Sequence, residues 1–159
     1  MTPSTHIANN VLSRSFRDGV KISPMKLQRI LYIVASEYAK KTGEELFVEN
    51  FSTWTYGPVL FSVFDQFSCF EDGLINRYAK NAQGKNFQVD EDGNPYLSAV
   101  IEDVWRKTKK VEAVELSNIL RKPHSAWDQA FQNEESTLSP ELIKSDTSYI
   151  FPLGFKNTP

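Results

Sequence analysis

SPMKLQRILYIVASEYAKKTG, residues 23–43, decides how this chain is read. Ser23 can cap a helix, and Pro24 fits its first turn, where a missing N–H costs nothing. Leu27, Ile30, Leu31, Val34 and Tyr38 recur at helical spacing. Tyr32 and Ile33 fall outside that stripe, which predicts a central helix covered on more than one side. Gly43 closes it. Glu37 and Lys41 stand four apart and are expected to form a surface pair worth a few tenths of a kcal/mol.

Upstream, STHIANNVLSRSF puts Ile7, Ala8, Val11, Leu12 and Phe16 on one helical face, with Gly19 as its stop. Downstream, Phe51, Thr53 and Thr55 alternate with Ser52, Trp54 and Tyr56, the pattern of a short strand. Gly57-Pro58 ends that strand. Pro58 then opens a helix whose inner face carries Val59, Val63, Phe64 and Phe67. Residues 71–85 are polar and turn-rich and read as loop. NFQVDEDGNPYLS reads as a hairpin, with a strand at Phe87 to Val89, a turn at Asp92-Gly93-Asn94 and a return near Tyr96. Ser98 caps the next helix, which presents Val100, Ile101, Val104 and Trp105. Its last turn carries Arg106, Lys107, Lys109 and Lys110, matched to the negative helix end. Shorter helices follow at VEAVELSNILRK, SAWDQAF and SPELIKS. The expected fold is mainly α (α+β): a compact helical domain with a small antiparallel β element or hairpin. It forms one domain over 1–159, with 146–159 as a candidate flexible tail that either packs on the domain or binds something.

The 159 residues are 40% hydrophobic, 24% charged and 13% aromatic, including 11 Phe. That is the profile of a globular domain with a ring-rich core. No apolar run reaches the length of a membrane span, and MTPSTHIANN lacks a basic n-region and an apolar h-region, so neither anchor nor leader is expected. The expected location is cytoplasmic. The lone Cys69 is read as a small buried hydrophobe. Net charge is −2, which argues against nucleic acid as a general partner. Up to Lys41 the balance is roughly +5, leaving about −7 for the rest. Either the two halves attract one another, or Arg14, Arg17, Lys26 and Arg29 form a basic face for an acidic partner.

Catalytic and cofactor motifs are missing: no Gly-rich phosphate loop, GxSxG, HExxH or cluster of Cys and His. His6 and His124 alone cannot make the usual zinc site. Asp90, Asp92 and Gly93 lack the spacing of a calcium loop, and position 101 is Ile where a bidentate Glu is needed. No enzyme and no cofactor are expected. For Trp54 and Tyr56 two readings stand: packing on the 27–38 helix, which is favoured, or contact with a partner, for which Trp and Tyr are common anchors. Core placement is also favoured for Trp105 and Trp127.

Two blocks resemble a known family. The first is Ser23, Pro24, Lys26, Leu27, Gln28, Arg29, Ile30, Leu31 and Tyr32, followed by Gly43, Leu46, Phe47, Phe51, Trp54, Tyr56, Gly57, Pro58 and Val59. The second is Leu116, Ser117, Trp127 and Ala130, and Ala8-Asn9 resembles the family's opening helix. Together they resemble the Panacea antitoxin-domain family, also described as GepA-like or SocA-like, over residues from about 6 to 145. Thr55 stands where a Lys is common before Tyr-Gly-Pro. Leu120-Arg121 and Ala126-Trp127 replace the usual Thr-His and Pro-Trp, and His124 is out of register. The resemblance implies a mostly helical domain that serves as antitoxin of a toxin–antitoxin pair in bacteria, prophages or mobile elements. It would neutralise a cognate toxin protein by direct binding. Handing the toxin to an ATP-dependent protease is a further implied role. Lys26, Leu27, Gln28, Tyr32, Trp54, Tyr56, Gly57, Pro58 and Trp127 are the motif residues, structural or partner-binding. The alternatives are a nucleic-acid-binding regulator, for instance of its own operon, and an enzyme with an unrecognised site.

Overall fold

The structure is a computed structural model and describes residues 1–156. Two long helices open it, α1 (Ser4–Asp18) and α2 (Pro24–Thr42). A hairpin of β1 (Ser52–Trp54) and β2 (Gly57–Val59) leads into α3 (Phe61–Phe67) and a single 3-10 turn at Ser68–Phe70. After an irregular stretch come α4 (Pro95–Thr108), α5 (Ala113–Leu120), α6 (Ala126–Gln132), α7 (Pro140–Ser145) and α8 (Ile150–Leu153).

The fold is organised around α2. Ser23 accepts the Lys26 N–H and Gly43 closes the far end at φ 76°, as the caps predict. Every residue from Lys26 to Ala39 is buried. α1, α3, α4, α5, α7 and β2 all pack on it, so the apolar residues outside its main stripe find cover too. Leu27, Ile30, Leu31, Tyr32, Ile33 and Val34 join Ile7, Val11 and Leu12 of α1 and Val100, Ile101, Val104 and Trp105 of α4 in one core. Burying each such side chain contributes about 1.5–3 kcal/mol. Trp105 is enclosed, and its indole N–H is satisfied by Asp18 at 2.8 Å.

Several expectations are corrected by the backbone. Gly57-Pro58 does not end a strand and start a helix; it is the second strand. β1 and β2 pair antiparallel, with Ser52 opposite Val59 and Trp54 opposite Gly57, and α3 begins only at Phe61. Pro58 is tolerated there because the α2 side chains, rather than another strand, bind the outer side of β2. The hairpin expected at 87–96 does not form. Asn94 accepts the Leu97 N–H and caps α4, with Pro95 in the first turn, so Ser98 lies inside the helix. Residues 86–91 run irregularly and dock on α1. Asn9 bonds Ala79 and Phe87, and Asn10 bonds both the N–H and the carbonyl of Val89. Two adjacent amide side chains thus stand in for a strand partner.

The pair Glu37–Lys41 is not made. Glu37 is buried and accepts the Tyr149 hydroxyl at 2.5 Å. Lys40 reaches inward instead, to Ser36 at 2.7 Å, to the Tyr149 hydroxyl at 2.9 Å and to the Asp146 carbonyl. Burial, and then the Glu37 carboxylate, push the Tyr149 hydroxyl well up, so it remains a proton donor. Through 156 the candidate flexible tail is anchored: Tyr149 is fully enclosed, Ile150 and Phe155 are buried, and Tyr32 donates to Asp146 at 2.6 Å. Residues 157–159 lie outside the described residues. Cys69 is exposed rather than buried, because it sits in the 3-10 turn that leaves the core.

Candidate functional site

The polar residues of the motif on α2 each reach out to another part of the chain. Lys26 donates to the carbonyl of Lys109, just past the end of α4, at 2.6 Å. Burial pulls its ammonium pKa down, against the pull of Glu112 in the other direction. Gln28 holds both backbone groups of Leu60, donating at 3.0 Å and accepting at 2.9 Å. Arg29 donates to Ser117 Oγ at 2.9 Å, to the Pro58 carbonyl at 2.5 Å and to the Tyr56 carbonyl at 2.8 Å. Tyr32 holds Asp146, and Leu27 is core.

These bonds converge on the turn of the hairpin. With Trp54 opposite Gly57, the loop is only Thr55-Tyr56. Short hairpins of this length prefer positive φ at the central residues. Thr55 and Tyr56 do not supply it; the unusual angle falls on Gly57, at φ 133°. A Cβ on Gly57 would stand 2.7 Å from the Arg29 guanidinium carbon, so the missing side chain is what lets the guanidinium lie against the turn. Side chains then bind the turn's carbonyls one by one. Trp127 donates to Trp54 at 2.7 Å, Arg121 to Thr55 at 3.2 Å, and Arg29 to Tyr56 and Pro58. The outer edge of β1 is also taken, by Thr53 N–H to Ser136 and by Leu138 N–H to Phe51.

What this braced turn displays is aromatic. Tyr56 is 65% exposed and Trp54 38%. They do not enter the core, contrary to the favoured expectation, because the hairpin lifts them off α2 while Arg29 fills the space beneath. Trp54 packs edge-on against Phe64 at 4.9 Å, and Phe61 continues the row at 6.2 Å. Phe64, expected on the inner face of α3, is 39% exposed for this reason, whereas Val59, Val63 and Phe67 are buried. On the other flank Trp127 is buried, as expected, and stacks on the exposed Phe131 at 4.6 Å.

The basic face does not exist as drawn. Arg14, Lys26 and Arg29 are all buried. Arg14 is clamped by Glu91 at 2.6 Å and Glu102 at 2.7 Å. Burial lowers its pKa, but the two carboxylates outweigh that and raise it overall. Only Arg17 is solvent-facing, and it bridges Asp18 and Glu102. The helical period placed Arg14 seven residues after Ile7, on the apolar stripe, which was the available sign of its burial. Arg121, which the motif reading treated as a departure, turns out to hold Thr55. Thr55, another of the departures, is the residue it holds.

Among the described residues no group of three or more His, Cys, Asp or Glu side chains could hold a metal ion. No described helix is long and apolar enough to cross a membrane. No curated protein and no solved structure matches this chain. One family does, over residues 27–128, a stretch that contains Gln28, Arg29, Ser117, Arg121 and Trp127, the side chains that brace the turn and hold β2. On that match, which covers more than half of its length, the chain belongs to the antitoxin SocA-like, Panacea domain family.

Proposed function

We propose that this protein neutralises a cognate protein toxin by direct binding, and that the surface it uses is the braced aromatic turn. The observation that carries the reading is the combination of exposed Trp54, Tyr56, Phe61 and Phe64 with a turn whose carbonyls are fixed by Arg29, Arg121 and Trp127. Exposed aromatic patches mark interaction sites, and Trp and Tyr are frequent anchors in them. A turn already held in one geometry loses little conformational freedom when a partner docks. Strand addition is not the mode here, since Ser136 and Leu138 occupy β1 while Gln28 and Arg29 occupy β2. The partner meets side chains. Family membership supports the antitoxin role, exercised by masking rather than by chemistry of its own, in the cytoplasm where the toxin is made.

The test is co-expression with each neighbouring open reading frame, scoring growth and co-purification. One neighbour is expected to be toxic alone, harmless with this chain, and retained on it. Tyr56→Ala is expected to release that toxin while the protein stays folded. If no neighbour is toxic, the proposal falls. Following toxin abundance in the same cells separates plain masking, which leaves the toxin stable, from delivery to an ATP-dependent protease, which depletes it.

A further inference from the structure

Two buried guanidiniums in this fold are satisfied differently. Arg14 has two carboxylates. Arg29, 2% exposed, has only neutral acceptors: Ser117 Oγ and the carbonyls of Tyr56 and Pro58. Among the described residues no carboxylate bridges it, and the charge that acts on it is a second cation, Arg121, itself bonded only to neutral oxygens. Burial, and then Arg121, push the Arg29 pKa down to about 10. Burying a charge without an opposite partner is unfavourable, and an anion brought close relieves it.

A groove of about 190 Å³ opens beside Arg29. Its walls are Met25, Trp54, Tyr56, Val63, Phe64 and Phe67, and Gln28 at its side has its amide committed to Leu60. Glu71 is the one carboxylate among the lining residues; it is exposed and makes no bridge to Arg29. The space is about that of one large apolar side chain, and the lining offers such a chain rings and methyls on most sides.

We infer that this groove seats one aromatic or long aliphatic side chain of the toxin together with an adjacent Asp or Glu, the partner supplying the anion that Arg29 lacks in the free protein. This rests on the toxin-binding reading, but the groove's chemistry can be tested without a toxin. The chain has two methionines. With ¹³C-methyl labelling, Met25 reports on the groove and Met1 serves as control. Three small probes share a phenyl ring: phenylacetate, 2-phenylethanol and phenethylamine. Phenylacetate is expected to shift the Met25 methyl saturably, about tenfold more tightly than the alcohol at low salt, with the amine weakest. Met25→Trp, which fills the groove from a half-buried position, is expected to abolish phenylacetate binding, read at the Trp54 indole, with the melting temperature retained. Equal affinities, preference for the amine, or no shift each overturn the inference. So does concentration-dependent dimerisation lost in Met25→Trp, which would put a second copy of the chain in the groove. If a toxin is found and Met25→Trp still neutralises it, the groove assignment fails while the antitoxin reading stands. If phenylacetate binds as expected and no neighbour is toxic, the groove's chemistry stands and the toxin as its occupant is overturned.

Discussion

Gly57→Ala is expected to be among the most damaging single-methyl changes available to this protein. Two terms add. At φ 133° an L side chain is strained, and residues held in such regions cost about 1–3 kcal/mol. The new Cβ would also lie 2.7 Å from Arg29 Cζ and 3.0 Å from both Nε and Nη1. An arginine tip on a surface would swing aside at little cost. This one is enclosed and holds Ser117, Pro58 and Tyr56. Moving it breaks at least two hydrogen bonds, each worth about 1–1.5 kcal/mol net. The sum is about 3–6 kcal/mol, or a fall of roughly 6–24 °C in melting temperature for a domain of this size. Urea unfolding followed by tryptophan fluorescence measures it, with Trp54 close to the perturbation. A double-mutant cycle with Arg29→Met locates the cause. If the clash with the guanidinium matters, the two changes are non-additive by at least about 1 kcal/mol. A Gly57→Ala protein within about 1 kcal/mol of the parent, or strict additivity in the cycle, refutes the reasoning.

Tyr56→Ala, at a mostly exposed position, is expected to move stability by no more than about 0.5 kcal/mol while weakening toxin affinity about tenfold or more; unfolding curves and calorimetric titration give the two numbers. Arg14→Ala leaves the half-buried Glu91 without its partner and should cost about 3 kcal/mol, whereas Arg17→Ala, on the solvent side of the same cluster, should cost less than about 1 kcal/mol; equal urea midpoints for the two variants would contradict this. Burial pushes the Glu91 and Glu102 carboxyls up, but hydrogen bonds from Arg14 and its neighbours outweigh that and hold both below the usual range. The stability they contribute is therefore complete above about pH 5 and is lost as pH falls through the unfolded value near 4.3 toward the folded ones. Glu91→Gln should flatten that acid limb in urea midpoints taken from about pH 3 to 7, and an unaltered limb counts against the assignment. Tyr149→Phe removes the hydroxyl shared by Glu37 and Lys40 and should cost about 1–3 kcal/mol, measured by thermal unfolding.

The helices were legible where a cap and a period coincide. Ser23-Pro24 with Gly43, Ser125 and Ser139-Pro140 all mark true starts and stops. Asn94-Pro95 obeys the same syntax, but Asp92-Gly93-Asn94 also spells a turn; the Asn-Pro reading is the one that forms. Gly57-Pro58 misled for the opposite reason. Proline looks like a helix start, and only α2, far away in sequence, tells the chain that β2 can do without its N–H. Burial of charge was partly readable, since Lys26 and Arg29 fall four residues before the buried Ile30 and Ile33 on a helix already expected to be covered all round. The aromatic face was not readable. Trp54 and Trp127 are the same residue type, and what separates exposed from enclosed is which of them carries the bond: Trp127 gives its N–H to the backbone of Trp54.

The enclosure of α2 from Lys26 to Ala39 has a consequence for how the protein is made. Its cover comes from both ends of the chain, and Tyr32 waits for Asp146, a partner 114 residues later. At the usual pace of about 5–20 residues per second, translation needs roughly 6–23 s to deliver that partner. Throughout that interval the central helix of the nascent chain lacks part of its cover, and Tyr32, Ser36 and Glu37 lack their final bonds. Newly made chains are thus open to chaperones and proteases in a way that finished ones are not. The cellular supply of this protein is governed by synthesis rate as well as by the stability of the product.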